Sequence, residues 1–126
     1  MTRPALALVT ALAMAGLAAC GPTPAASDTV TLGEYFVTAE DSRAPGPAEL
    51  TVANAGQFPH TLVVTRQSGE VVAATDIIPA GGTVTATFDL APGDYQFTCR
   101  IVAESADGSI VDHFEKGMRA RVTVRG

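Results

Sequence analysis

Three observations predict an all-β chain folded as a Greek-key β-sandwich of about seven to eight strands. Short β-rich segments recur between glycine- and proline-rich turns, several alternate apolar with polar residues, and no stretch carries the 3.6-residue apolar period of a long helix. The first segment, Val30 to Thr38, is β-rich throughout. Glu49 to Ala53 follows with Leu50 and Val52 on one face, then Thr61 to Thr65 and Val71 to Ile78. Thr83 to Phe88 places Val84, Ala86 and Phe88 on one face and three threonines on the other. Asp94 to Cys99 gives Tyr95, Phe97 and Cys99 a common face, and Arg119 to Arg125 turns Val122 and Val124 inward. Turn chemistry separates these segments at Ala44-Pro45-Gly46-Pro47, Pro79-Ala80-Gly81-Gly82 and Pro92-Gly93.

The N-terminal region reads differently. Arg3 precedes an alanine-rich apolar run from Ala5 to Ala19, too short and too rich in small residues for a membrane span, so residues 1–19 read as a secretory signal. Leu17-Ala18-Ala19-Cys20 resembles the lipobox of bacterial lipoproteins, which implies cleavage before a lipid-modified Cys20. An ordinary signal peptide cut nearby, leaving Cys20 as a free thiol, is the alternative. Acyl chains on Cys20 would anchor the protein to a bilayer without spanning it. Residues 20–27, with two prolines and small side chains, suit a tether. What remains after residue 19 has a length suited to one domain, with seven basic and thirteen acidic residues, a net charge of −6. That balance argues against a nucleic-acid partner.

The rarest side chains are the chemically useful ones. Beyond residue 20 stand one cysteine, two histidines and one methionine, in the order His60, Cys99, His113, Met118. Two imidazoles, a thiolate and a weak axial thioether make the ligand set of a mononuclear blue-copper centre. With Cys20 lipidated, Cys99 has no partner for an internal disulfide, and a metal bond would protect its thiol in an oxidising compartment. Antiparallel pairing of the last two strands would make Cys99 and Met118 neighbours at one pole of the sandwich, with His60 reaching that pole from the other sheet. Taken singly the residues have plainer roles: His60 in a solvent-facing turn, Cys99 as a small hydrophobe, Met118 as a core filler, His113 paired with a carboxylate on the surface.

Over about residues 28 to 126 the chain resembles the cupredoxin family. Asn54-Ala55-Gly56-Gln57-Phe58-Pro59-His60 is similar to the family's Asn-x-Gly-x-x-Pro-His segment. Pro92 to Cys99 is similar to its Pro-Gly-x-Tyr-x-Phe-x-Cys strand, and His113 to Met118 matches a His-x4-Met spacing. The resemblance implies one copper ion, with His60, Cys99 and His113 as strong ligands and Met118 as the axial one. It implies supporting roles for Asn54 in the turn before His60 and for Thr61 against the cysteine, and Phe114 with Phe58 would supply an apolar wall. One departure is large: thirteen residues, Arg100 to Asp112, separate the cysteine from the second histidine, where typical members place two to four.

The long interval carries its own structural signal. Ile101-Val102-Ala103 and Ile110-Val111 flank a tip of hairpin composition, Glu104 to Ser109. A hairpin centred on Ala106 would pair Ile101 with Val111, Val102 with Ile110 and Cys99 with His113.

These readings lead to a monomeric, exported, lipid-anchored carrier of single electrons, facing the periplasm or cell exterior. No enzyme is expected, because protein atoms fill every ligand position and no acid–base pair accompanies them. A copper-delivery or sequestering lipoprotein and a metal-free interaction module are the alternatives. Glu104, Asp107, Asp112 and Glu115 near the metal pole offer a docking patch for a basic redox partner or, equally, a solvated acidic loop.

Overall fold

The structure, a computed structural model, describes residues 28–126, so the expected signal sequence, Cys20 and the tether lie outside the described residues. The described chain is all-β. Its strands are β1 (Asp28–Gly33), β2 (Phe36–Thr38), β3 (Ser42–Arg43), β4 (Gly46–Asn54), β5 (Val63–Arg66), β6 (Val71–Ala74), β7 (Thr83–Leu90), β8 (Gly93–Thr98), β9 (Val102–Glu104), β10 (Ile110–Asp112) and β11 (Arg119–Val124). One sheet runs β2-β1-β4-β7 and the other β3-β11-β8-β5-β6, while β9 and β10 form a separate ribbon. Neighbours are antiparallel except for β1 with β4 and β11 with β3. Among the described residues no helix is long and apolar enough to cross a membrane.

The core forms where alternating faces meet. Val30 and Leu32 of β1, Leu50 and Val52 of β4, Phe88 and Leu90 of β7, Tyr95 and Phe97 of β8, and Val122 and Val124 of β11 are buried between the sheets. The threonines of β7 stay exposed on its other face, as the period of two requires. Each such side chain contributes about 1.5–3 kcal/mol of transfer free energy. Leu62, Ile78 and Met118 close the core at the pole beside the histidines.

Four local features differ from the sequence reading. The segment Val30 to Thr38 breaks at Glu34-Tyr35, which turn the chain between β1 and β2. β3 is a two-residue edge strand, too short to show a period. β4 starts at Gly46, so Pro47 pairs opposite Asp89 instead of turning. Because β1 reaches only as far along β4 as Leu50, the nitrogen of Pro47 owes no hydrogen bond on that side. Finally β6 ends at Ala74, and Ile78 rejoins the sheet as a single bridge to His60.

The interval between Cys99 and His113 is an ordered hairpin, but its register is two residues away from the one expected. Val102 faces Asp112, Ala103 faces Val111 and Glu104 faces Ile110, so the hairpin is centred on Asp107 and not on Ala106. The turn sets this register. The Gly108 amide donates to the Ser105 carbonyl and the Ser105 amide to the Ser109 carbonyl, leaving a three-residue loop with Gly108 at φ +83. A type I turn followed by a left-handed residue needs that glycine. Cys99 therefore does not face His113; the His113 amide donates to the Ile101 carbonyl at 3.0 Å.

Candidate metal centre

Strand pairing brings the donors together. β8 runs antiparallel to β11 with Thr98 opposite Arg119, and one step further the Cys99 amide donates to the Met118 carbonyl at 3.1 Å. The Met118 amide in turn donates to the His113 carbonyl at 3.1 Å, so Met118 is tied through its backbone to both neighbouring donors. Gly117 takes φ +122 in the turn between His113 and Met118, a conformation that L side chains rarely adopt. His60 arrives from the same sheet, not from the opposite one as the sequence suggested. β5 pairs directly with β8, Val63 facing Thr98, and the residues just before Val63 lie alongside Cys99.

Asn54 fixes the turn that carries His60. Its side-chain amide donates to the carbonyls of Phe58 and Ile78, and its oxygen accepts the Gly56 amide, each at 2.9 Å. Thr61 faces the sulfur: its amide lies 3.5 Å and its hydroxyl 3.8 Å from Cys99 Sγ.

The three donor atoms form a triangle. His60 Nδ1 and His113 Nδ1 are 3.1 Å apart, and Cys99 Sγ lies 3.9 Å from the first and 3.6 Å from the second. All three residues are buried. The point equidistant from these atoms lies about 2.1 Å from each, close to the ~2.0–2.1 Å of a metal–imidazole bond and the ~2.3 Å of a metal–thiolate bond known for zinc. Two imidazole nitrogens and a sulfur converging at a buried point would leave lone pairs confronting one another, an arrangement a cation relieves. The donor set therefore fits a first-row metal ion.

Glu34, which no local sequence signal singled out, supports the site. Its carboxylate accepts the Gln57 and Phe58 amides at 2.9 Å and lies 3.0 Å from His60 Nε2. Since a carboxylate can only accept, the proton belongs on Nε2, which leaves Nδ1 free to bind a metal. Partial burial pushes the Glu34 carboxyl up, but the hydrogen bonds from Phe58, Gln57 and His60 outweigh it and hold it below its ordinary 4.5. A Cβ on Gly56 would overlap the Glu34 carboxylate, so a side chain there would push it off its hydrogen bonds. The Gly of the Asn-x-Gly segment was the one sequence sign that something comes close.

Burial, reinforced by the charge of His60, holds His113 below the ordinary imidazole value of 6.5 against the pull of Glu34 and Asp112. Its ring is neutral, and competent to bind a metal, at neutral pH. Tyr35 stands edge-on to His113 at 5.3 Å between ring centroids, a contact the sequence did not announce. Phe114, expected as an apolar wall, carries the guanidinium of Arg100 at 3.8 Å and that of Arg119 at 5.0 Å from its centroid. Phe58 instead lines an apolar groove of about 560 Å³ together with His113, Tyr35, Ile77, Ile101, Ala103 and Val111.

No protein-family model matches the sequence, and no curated protein matches it. Solved structures do match in fold. Reduced auracyanin from the photosynthetic bacterium Roseiflexus castenholzii superposes with a TM-score of 0.61 at 21% identity, covering 79% of this chain and 97% of that one. Auracyanin B gives 0.56 at 18% identity, covering 84% and 93%. A purple cupredoxin from Nitrosopumilus maritimus gives 0.51 at 15% identity, covering 77% and 98%.

Proposed function

We propose that this chain, whose fold is that of the cupredoxins, is a mononuclear copper protein that carries single electrons outside the cytoplasm. The observation that carries the reading is the triangle of His60 Nδ1, Cys99 Sγ and His113 Nδ1, sized for one metal ion. Copper bound there would supply a one-electron Cu(I)/Cu(II) couple, for which two imidazoles and a thiolate are the established blue-site donors. Met118, its backbone already bonded to Cys99 and His113, would supply a thioether to the same ion.

The protein's part is to hold the donors still. Asn54 and the Glu34 carboxylate lock the loop before His60, the hairpin and the His113-to-Met118 turn lock His113, and Thr61 orients toward the sulfur. Donors that need not move between two oxidation states suit fast electron exchange. Burial of all three donor residues also favours a retained ion over one handed to another protein. Export with a lipid anchor on Cys20 completes the proposal, resting on the lipobox-like Leu17-Ala18-Ala19-Cys20.

The test is to add Cu(II) to the purified protein with Cys99 reduced, and to record visible absorption and electron paramagnetic resonance together. An intense thiolate-to-copper band with narrow copper hyperfine splitting, absent from Cys99→Ala, is expected. A weak, ordinary copper spectrum would favour copper handling, and no bound copper would leave a metal-free sandwich.

A further inference from the structure

Seven basic side chains lie among the described residues, in a chain of net negative charge. Arg43 pairs with Asp28 and Arg66 with Glu70. The other five have no ion-pair partner among the described residues, and four of them, Arg100, Lys116, Arg119 and Arg121, belong to the metal pole and the strand that leaves it. All four are exposed or nearly so. Arg119 and Arg121, two apart on β11, share its outward face.

Two of these cations are held in place. Arg100 directly follows Cys99, Phe114 follows His113, and Arg119 follows Met118, so the side chains next to three candidate ligands meet on one aromatic ring. Stacking on Phe114 brings the two guanidinium carbons to within about 9 Å of each other, roughly the Debye length at physiological salt. Two unpaired like charges within that spacing repel, and an acidic group brought near both relieves the repulsion. Planar guanidinium forks fixed by stacking match carboxylates bidentately and lose little freedom on binding.

We propose that the face built from Arg100, Phe114 and Arg119, flanked by Lys116 and Arg121, docks an acidic protein partner beside Cys99. The remaining surface is net acidic and repels such a partner, so this face also selects its orientation. Of the acidic residues that suggested a basic partner, Asp112 accepts the Phe114 and Glu115 amides at the edge of this face, where the four cations outnumber it and Glu115, and Asp107 accepts the amide and hydroxyl of Ser109 at the hairpin tip. An anionic bilayer is the weaker fit, because the net charge of the protein opposes approach to a broad negative surface. That the partner exchanges electrons rests on the carrier reading above; the docking itself does not.

The test uses the copper-free protein and the redox-inert, paramagnetic trianion hexacyanochromate(III), followed by amide line broadening at low salt. Broadening centred on Arg100, Phe114 and Arg119, displaced by hexaglutamate, is expected. Arg100→Gln/Arg119→Gln should weaken it on the order of tenfold, while Arg125→Gln, at the far end of β11, should not change it. Broadening elsewhere, or indifference to the double substitution, overturns the proposal. So does an effect of the double substitution seen only with phosphatidylglycerol vesicles and not with hexaglutamate. Because no copper is present, failure here is distinguishable from failure of the copper reading.

Discussion

Glu34 is the residue on which the imidazole of His60 depends. It accepts two backbone amides from the loop that carries His60 and lies against Nε2 of the ring, so one carboxylate positions the loop and polarises the candidate ligand. Glu34→Gln keeps the shape but removes the charge, and should lower Cu(II) affinity by about 10- to 100-fold, the range for loss of a ligand's outer partner. The loss of negative charge should also raise the reduction potential. A chelator competition and a potentiometric titration check the two effects, and unchanged affinity would show that Glu34 serves the loop alone. Gly56→Ala acts on the same carboxylate from the other side. The added methyl must displace it, at a cost of about 1–3 kcal/mol typical of overpacking, readable as a lowered denaturation midpoint.

At the scale of elements, the hairpin of β9 and β10 gives a thirteen-residue interval the geometry of a short loop. The anchoring contact is the His113 amide on the Ile101 carbonyl, which lies below the first pair of the ribbon, so the distal pairs are dispensable for holding His113. Replacing residues 104–110 by Asn-Gly, a two-residue turn between Ala103 and Val111, should leave the copper spectrum unchanged. Loss of copper binding from a folded variant would overturn this account. The existence of the hairpin was legible in Ile101 to Val111, but its register was not, because it turns on which tip residue takes the left-handed conformation. The sandwich was legible for a stronger reason: one buried face forces a period of two, visible in Tyr95-Gln96-Phe97 and in Thr83 to Leu90. Glu34 stayed hidden because a carboxylate twenty-six residues before His60 meets it only through sheet pairing. His60 was assigned to the wrong sheet for the same reason, since alternation reports faces and not neighbours.

Across the whole molecule, protonation and metal binding act on one folding equilibrium. His113 is held below 6.5 by burial, so the unfolded chain takes up a proton there more readily than the folded one. The metal-free protein thus has the full contribution of neutral His113 above about pH 6.5 and loses it as pH falls from there toward the folded value. Glu34, held below 4.5, contributes above that value and loses its contribution as pH falls further, so both effects have the same sign and arrive in that order. Copper adds a term only to the folded state: at a free concentration about a hundred times Kd it is worth roughly 2.7 kcal/mol. In a domain of this size that corresponds to a rise of about 10–20 °C in Tm. Imidazoles must be deprotonated to bind a metal, so acid removes this increment too. The difference in Tm between copper-loaded and copper-free protein should therefore be widest at neutral pH and narrow only once pH falls below the folded-state value of His113, which lies under 6.5. Calorimetry of both forms between about pH 4 and pH 8 checks this, and a difference that stays constant over that range would mean that the histidines do not hold the metal.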